Sequence, residues 1–136
     1  MSWQYNDGGR AQSGFKGVAG DCVTRAIAIA TEKSYREAYD DLNKLAKEMK
    51  CRRSTARTGI YRDVYEAYLK SLGWRWVPCM GIGTGCKVHL KADELPKGRI
   101  IARLSKHVAT VIDGTVHDIY DCSRDGTRAV YGYFIK

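Results

Sequence analysis

Long apolar runs are missing from this sequence. No stretch of about 18 apolar residues occurs, so a membrane-spanning helix is not expected. Proline is scarce, with 2 in 136 residues, and no segment is low in complexity. The first residues, MSWQYNDGGRAQSG, lack the charged-then-apolar layout of a secretory signal. A cytoplasmic protein of one domain, residues 1–136, is the expectation. Also missing is the Cys-x-x-Cys pair that a structural zinc site prefers. Cys79 and Cys86 are the nearest cysteines and His89 follows them, but six residues separate the two thiols, so no metal is expected. Five cysteines (Cys22, Cys51, Cys79, Cys86, Cys122) form an odd, irregularly spaced set, which reads as reduced thiols. The glycine-rich stretch GIGTGCK fits neither phosphate-binding spacing, G-x-x-x-x-G-K-[ST] or G-x-G-x-x-G. No cofactor is expected.

Acidic residues are also few: 15 against 23 basic ones, for a net charge of +8. The excess gathers in KLAKEMKCRRSTAR, where Lys44, Lys47, Lys50, Arg52, Arg53 and Arg57 face the single acid Glu48. Such a surface attracts nucleic acid or an acidic protein. Equally, lysine and arginine suit the C-terminal end of a helix. No recognised nucleic-acid motif accompanies the patch.

Residues 1–16 read as an irregular arm. Asp21 is a good N-cap residue, and Cys22 then opens a helix running to about Thr31. Val23, Ala26, Ile27, Ala28, Ile29 and Ala30 leave this helix almost no polar face beyond Thr24 and Arg25, so it should be buried at the centre of the fold. Ser34 and Glu37 form a capping box for a second, amphipathic helix ending near Met49, with Ala38, Leu42, Leu45 and Ala46 inward. A third helix is expected over 58–72. Strands follow at 74–77, 100–105, 107–112, 115–120 and 129–135, with a short helical stretch before Leu95. Helices first and then an antiparallel meander make an α+β fold.

Asp113-Gly114 is a strong two-residue hairpin turn. Counting outward, Val111 faces Val116 and Thr110 faces His117. His107, Ala109 and Val111 then share a sheet face with Val116, Asp118 and Tyr120. His107 and Asp118 become diagonal neighbours within side-chain reach, whereas His117 falls on the opposite face. A three-residue loop would bring Asp121 to the His107 face instead. Cys22, in the first turn of its helix, feels the positive end of the helix dipole, which favours thiolate. Backbone N–H groups there can also hold an oxyanion. One candidate thus exists for each catalytic role: Cys22, His107 and Asp118.

GDCVTRAIAIAT and the later GRIIARLSKHVATVIDGTVHDIYD resemble the papain-like cysteine peptidase superfamily, above all its small bacterial C39-type branch. They are also similar to small phage and bacterial proteins of this kind. The resemblance implies a papain-like fold, with a buried central helix packed on a C-terminal antiparallel sheet. It implies Cys22 as nucleophile, His107 as general base and then acid, and Asp118 as the residue that orients the imidazole. The family usually places a Gln six residues before its Cys, as the second oxyanion donor. Lys16 stands there in this chain, leaving Gln12 or Asn6 on the arm as the oxyanion candidates. A thiol hydrolase acting on a peptide or isopeptide bond is the leading expectation, with acyl transfer to an amine open to the same residues. The alternative is an inactive papain-like module, a phage or bacterial effector whose basic patch binds a host protein or nucleic acid in the host cytoplasm.

Overall fold

Helix α1 (Cys22–Thr31) occupies the centre, for the reason its composition gives. Every residue from Val23 to Ala30 is buried, the polar Thr24 and Arg25 included. Its buried hydroxyl neighbours are satisfied: Thr24 donates to the Ala56 carbonyl at 2.8 Å, and Thr110 from the sheet donates to the Ala26 carbonyl at 2.6 Å. Buried polar groups persist only when paired in this way. The helix stops at Glu32, which takes a left-handed φ of 62°. The computed structural model describes residues 1–17, 19–51, 53–80, 85 and 87–136. The glycine stretch 81–84, Cys86 and Arg52 lie outside these described residues.

Among them the fold is α+β, with three helices and a six-stranded mixed sheet. In α2 (Tyr35–Glu48), the Ser34 side chain accepts from the Glu37 N–H at 3.1 Å, the first half of the expected capping box. The Glu37 carboxylate turns instead to Lys33. Ala38, Leu42 and Ala46 are buried as expected, and Leu45 is half-buried against the same cluster. Helix α3 spans Arg62–Ser71. Its expected first turn is taken up by a small loop in which Thr55 and Gly59 exchange backbone hydrogen bonds.

The sheet runs β1-β5-β4-β3-β6-β2: β1 (Ser2–Tyr5), β2 (Arg75–Pro78), β3 (Arg99–Leu104), β4 (His107–Ile112), β5 (Thr115–Asp118) and β6 (Gly132–Ile135). Two expectations are corrected here. The arm is not irregular throughout, because Ser2–Tyr5 pairs parallel with β5 in the register Tyr5↔Asp118. The meander stops at β5, because β6 crosses back to pair antiparallel with β3 and carries β2 on its outer edge. One sheet face meets the three helices through Ile101, Val108 and Phe134. The other closes over Leu90, Leu95, Ile100, Ala102, Leu104, Val111, Val116, Cys122 and Val130.

The hairpin register is the one the turn demands. Asp113 and Gly114 both take positive φ (48° and 80°), which matches strand twist in a two-residue turn. Val111 pairs with Val116 and Thr110 with His117. Because α1 is the element on which both sheet and helices pack, truncating Ile27, which is wholly buried, should be costly. Ile27→Ala is expected to lower unfolding stability by about 2–5 kcal/mol in denaturant titration. A loss below about 1 kcal/mol would contradict a central α1.

Candidate active site

The N-terminal end of α1 and the turn between β3 and β4 meet at a surface cleft of about 450 Å³. Cys22 and Val23 line it from the helix. Arg103, His107 and Val108 line it from the strands, and Lys106 from the turn between them. Cys22 is half-buried there. His107 and Asp118 stand where the hairpin count puts them, and the imidazole Nε2 donates to Asp118 Oδ2 at 2.5 Å. Asp121 is occupied elsewhere, accepting from the Ser123 N–H and hydroxyl. Asp118 is therefore the carboxylate on the imidazole.

Three charged groups hold this arrangement. Burial opposes a charged His107, yet hydrogen bonds to Asp118, Cys122 and Cys22, with the Asp118 charge, push it from 6.5 up to about 11. Burial would likewise raise Cys22. The hydrogen bond and charge of His107, the Val108 backbone N–H and the Arg25 charge hold it below its ordinary 9.0. For Asp118, burial is outweighed by the His107 hydrogen bond and charge, the Ile119 N–H and Arg25, which lower it from 3.8. His107 is thus charged at neutral pH beside a Cys22 thiol held below its ordinary value, a pairing that favours the nucleophilic thiolate. The linkage follows in sign. His107 contributes its stabilisation fully below pH 6.5 and loses it as pH climbs through about 11. Asp118 contributes above pH 3.8 and loses it as pH falls through its lowered value.

Behind the pair runs a buried ionic chain that the sequence did not announce. Arg25 donates to Asp21 at one end of its guanidinium and lies 3.4 Å from Asp118 Oδ1 at the other. Tyr35 donates to Asp21 Oδ2 at 2.6 Å, and Arg10 from the arm pairs with the same oxygen at 3.4 Å. Asp21 does occupy the N-cap position of α1, but its side chain makes no capping bond. Its carboxylate is drawn to the two guanidinium groups instead. A charged residue inside an otherwise apolar helix must find partners, and Arg25 carried that signal. Cys122, fully buried, is the other residue missed. It abuts His107 and Asp118, with the three ligand atoms within 4.8 Å of one another. Tyr120 lies against the imidazole with ring centroids 5.4 Å apart, as its parity implied.

The oxyanion candidates are corrected. Asn6 spends its amide on His117 Nδ1 (3.2 Å) and its oxygen on the Gly8 N–H (2.9 Å), well engaged on the β1–β5 side. Gln12 is exposed on the arm, and neither residue lines the cleft. Lys16 turns its carbonyl to Arg10 and Arg57. Short local turns fix this part of the arm, so proximity in sequence to Cys22 does not bring an amide to the thiol. Within the basic patch, Lys44, Lys47, Lys50 and Arg53 are exposed, and Arg57 ties the arm down through Lys16.

These charges predict a reactivity order. Below pH 7, iodoacetamide should label Cys22 at least about tenfold faster than Cys51 or Cys79, whose burial pushes it up. His107→Ala should erase the difference by removing the hydrogen bond and charge that lower the Cys22 pKa. Rates followed by peptide mass spectrometry against pH check this, and uniform labelling of the three cysteines would contradict it.

Comparison with family models, with curated proteins and with solved structures finds no match for this chain.

Proposed function

We propose that this protein is a cytoplasmic thiol hydrolase with a papain-like arrangement, acting on a peptide or isopeptide bond through an acyl-enzyme on Cys22. One observation carries the reading: a half-buried thiol at a helix N-terminus, lowered in pKa by an imidazole that a buried carboxylate holds at its far nitrogen. The Cys22 thiolate attacks the carbonyl carbon. The backbone N–H of Cys22, at the positive end of α1, stabilises the oxygen as it gains charge. As the C–N bond breaks, the His107 imidazolium gives its proton to the leaving amine. Water then loses a proton to His107 and attacks the thioester, releasing the acid and restoring thiolate and imidazolium. An amine in place of water gives acyl transfer by the same steps. Asp118, flanked by Arg25, holds the imidazole correctly turned throughout and favours its charged form in the resting site and after each proton it takes up. Among the described residues no side-chain amide lines the cleft, so the backbone N–H carries the oxyanion without the usual partner. A missing donor of this kind costs about 10²–10³ in rate, and slow turnover is expected.

p-Nitrophenyl acetate tests the reading without knowledge of the natural substrate. The protein should release a burst of about one nitrophenolate per chain and carry one acetyl group on Cys22. Cys22→Ala should abolish the burst, and His107→Gln should slow it by about 10²–10⁴. A burst unchanged in Cys22→Ala would overturn the proposal.

A second reading draws on Lys44, Lys47, Lys50 and Arg53, which are exposed and make no ion pair among the described residues. They suit an acidic protein or nucleic acid, as in a basic effector module. Binding of a mixed-sequence duplex should then weaken as salt rises, in proportion to the phosphates contacted, and should survive Cys22→Ala. Salt-independent binding in a filter or anisotropy assay would dismiss it.

A further inference from the structure

The walls of the Cys22 cleft are basic. Arg62, Arg103 and Lys106 line it beside Tyr65 and Tyr131, and no Asp or Glu does so among the described residues. Arg62 is already neutralised, its Nε 2.5 Å from Glu66. Arg103 and Lys106 are not: among the described residues neither has a carboxylate partner. The Arg103 guanidinium instead lies over the Tyr131 ring, 5.6 Å from its centroid. Arg103 sits opposite Val108 in the strand register, and Val108 belongs to the sheet face that α1 covers. The charge of Arg103 is therefore presented on the same side as Cys22. The Tyr65 hydroxyl senses both Arg103 and Cys22 electrostatically.

Lys106 adds a second, independent sign. It takes a φ of 55°, the left-handed conformation that glycine or asparagine ordinarily supplies in a tight turn. A long cation held there, directly before His107, costs backbone energy that a glycine would avoid. Its charge takes no part in holding His107, whose partners are Asp118, Cys122 and Cys22. Two cations without a carboxylate partner, a half-buried Arg103 and an exposed Lys106, raise the local concentration of anions in a cleft lined by one sign of charge by about tenfold.

From these positions we infer that the cleft selects acidic acyl donors: peptide segments bearing an Asp or Glu carboxylate next to the scissile bond, held by Arg103 and Lys106. The inference rests on the thiol-hydrolase reading and names its substrate class. Arg103 provides the planar, two-pronged donor suited to a carboxylate, and Lys106 a mobile point charge at the cleft rim.

The test compares iodoacetate with iodoacetamide, and a peptidyl acyloxymethyl ketone carrying Asp at the ketone-bearing residue with its Asn counterpart. The protein is the full chain and the Arg103→Gln/Lys106→Gln variant. In the unaltered protein, Cys22 should favour the anionic reagent of each pair by about tenfold. In the variant this preference should fall to within about threefold, while the rate with neutral iodoacetamide stays within about twofold. That neutral rate shows the variant folded with its thiol active. An equal response to Asp and Asn, or a preference that persists in the variant, overturns the acidic-donor inference while leaving the hydrolase reading intact. A Cys22 no more reactive than Cys51 towards iodoacetamide overturns the hydrolase reading itself, and the inference with it.

Discussion

A single buried carboxylate organises the molecule. Asp118 ends β5, out of contact with bulk water, and has its charge met by His107 on one oxygen and Arg25 on the other. Unpaired, such a charge would cost several kcal/mol. Paired, it fixes the sheet to the central helix at the point where the helix presents its thiol. The same interaction is structural and chemical at once. It ties β4, β5 and α1 together, and it keeps a proton on the imidazole facing Cys22. Arg25 extends the tie to Asp21, and Asp21 to Tyr35 of α2 and to Arg10 of the arm. The arm is thereby moored to the site by charge, besides its strand pairing through Tyr5 and Asp118.

Helix α1 shows how one segment serves two demands. Its alanines and isoleucines allow close approach of the sheet on one side and α2 on another. The helix can be that apolar because its few polar groups all have assigned partners: Thr24 with Ala56, Arg25 with two carboxylates. Rigid packing along its length holds its first turn still, which the proposed role of Cys22 requires for orientation. Beyond its place at the helix end, Cys22 is acted on by His107, the Val108 N–H and Arg25, which together outweigh burial and lower its pKa.

Much of this was legible from residue order. An apolar run opening on Gly-Asp-Cys gave the buried helix, and Asp113-Gly114 gave the hairpin. Parity alone then put His107 and Asp118 on one face, because side chains alternate and the turn fixes the register. What stayed hidden depended on contacts distant in sequence. Ser2–Tyr5 alternates polar and aromatic residues over only four positions beside the glycine-rich arm, and all four are exposed on an edge strand, so no buried face marks it as paired. The return of β6 to β3 is a choice of partner, which strand composition does not encode. Asp21 looked like a cap because caps are local, but two guanidinium groups outbid the backbone for its carboxylate. The oxyanion amides failed for the same reason: Asn6 is close to Cys22 along the chain and is held elsewhere by His117 and Gly8.

The central claim is that His107 is kept as an imidazolium between Asp118 and Cys22. The most direct measurement is the pH titration of its two ring ¹⁵N shifts in selectively labelled protein. Both nitrogens should stay protonated past pH 8, and the transition should move down when Asp118 is replaced by Asn. A ring that loses its proton near its ordinary 6.5, with Asp118 intact, would contradict the account.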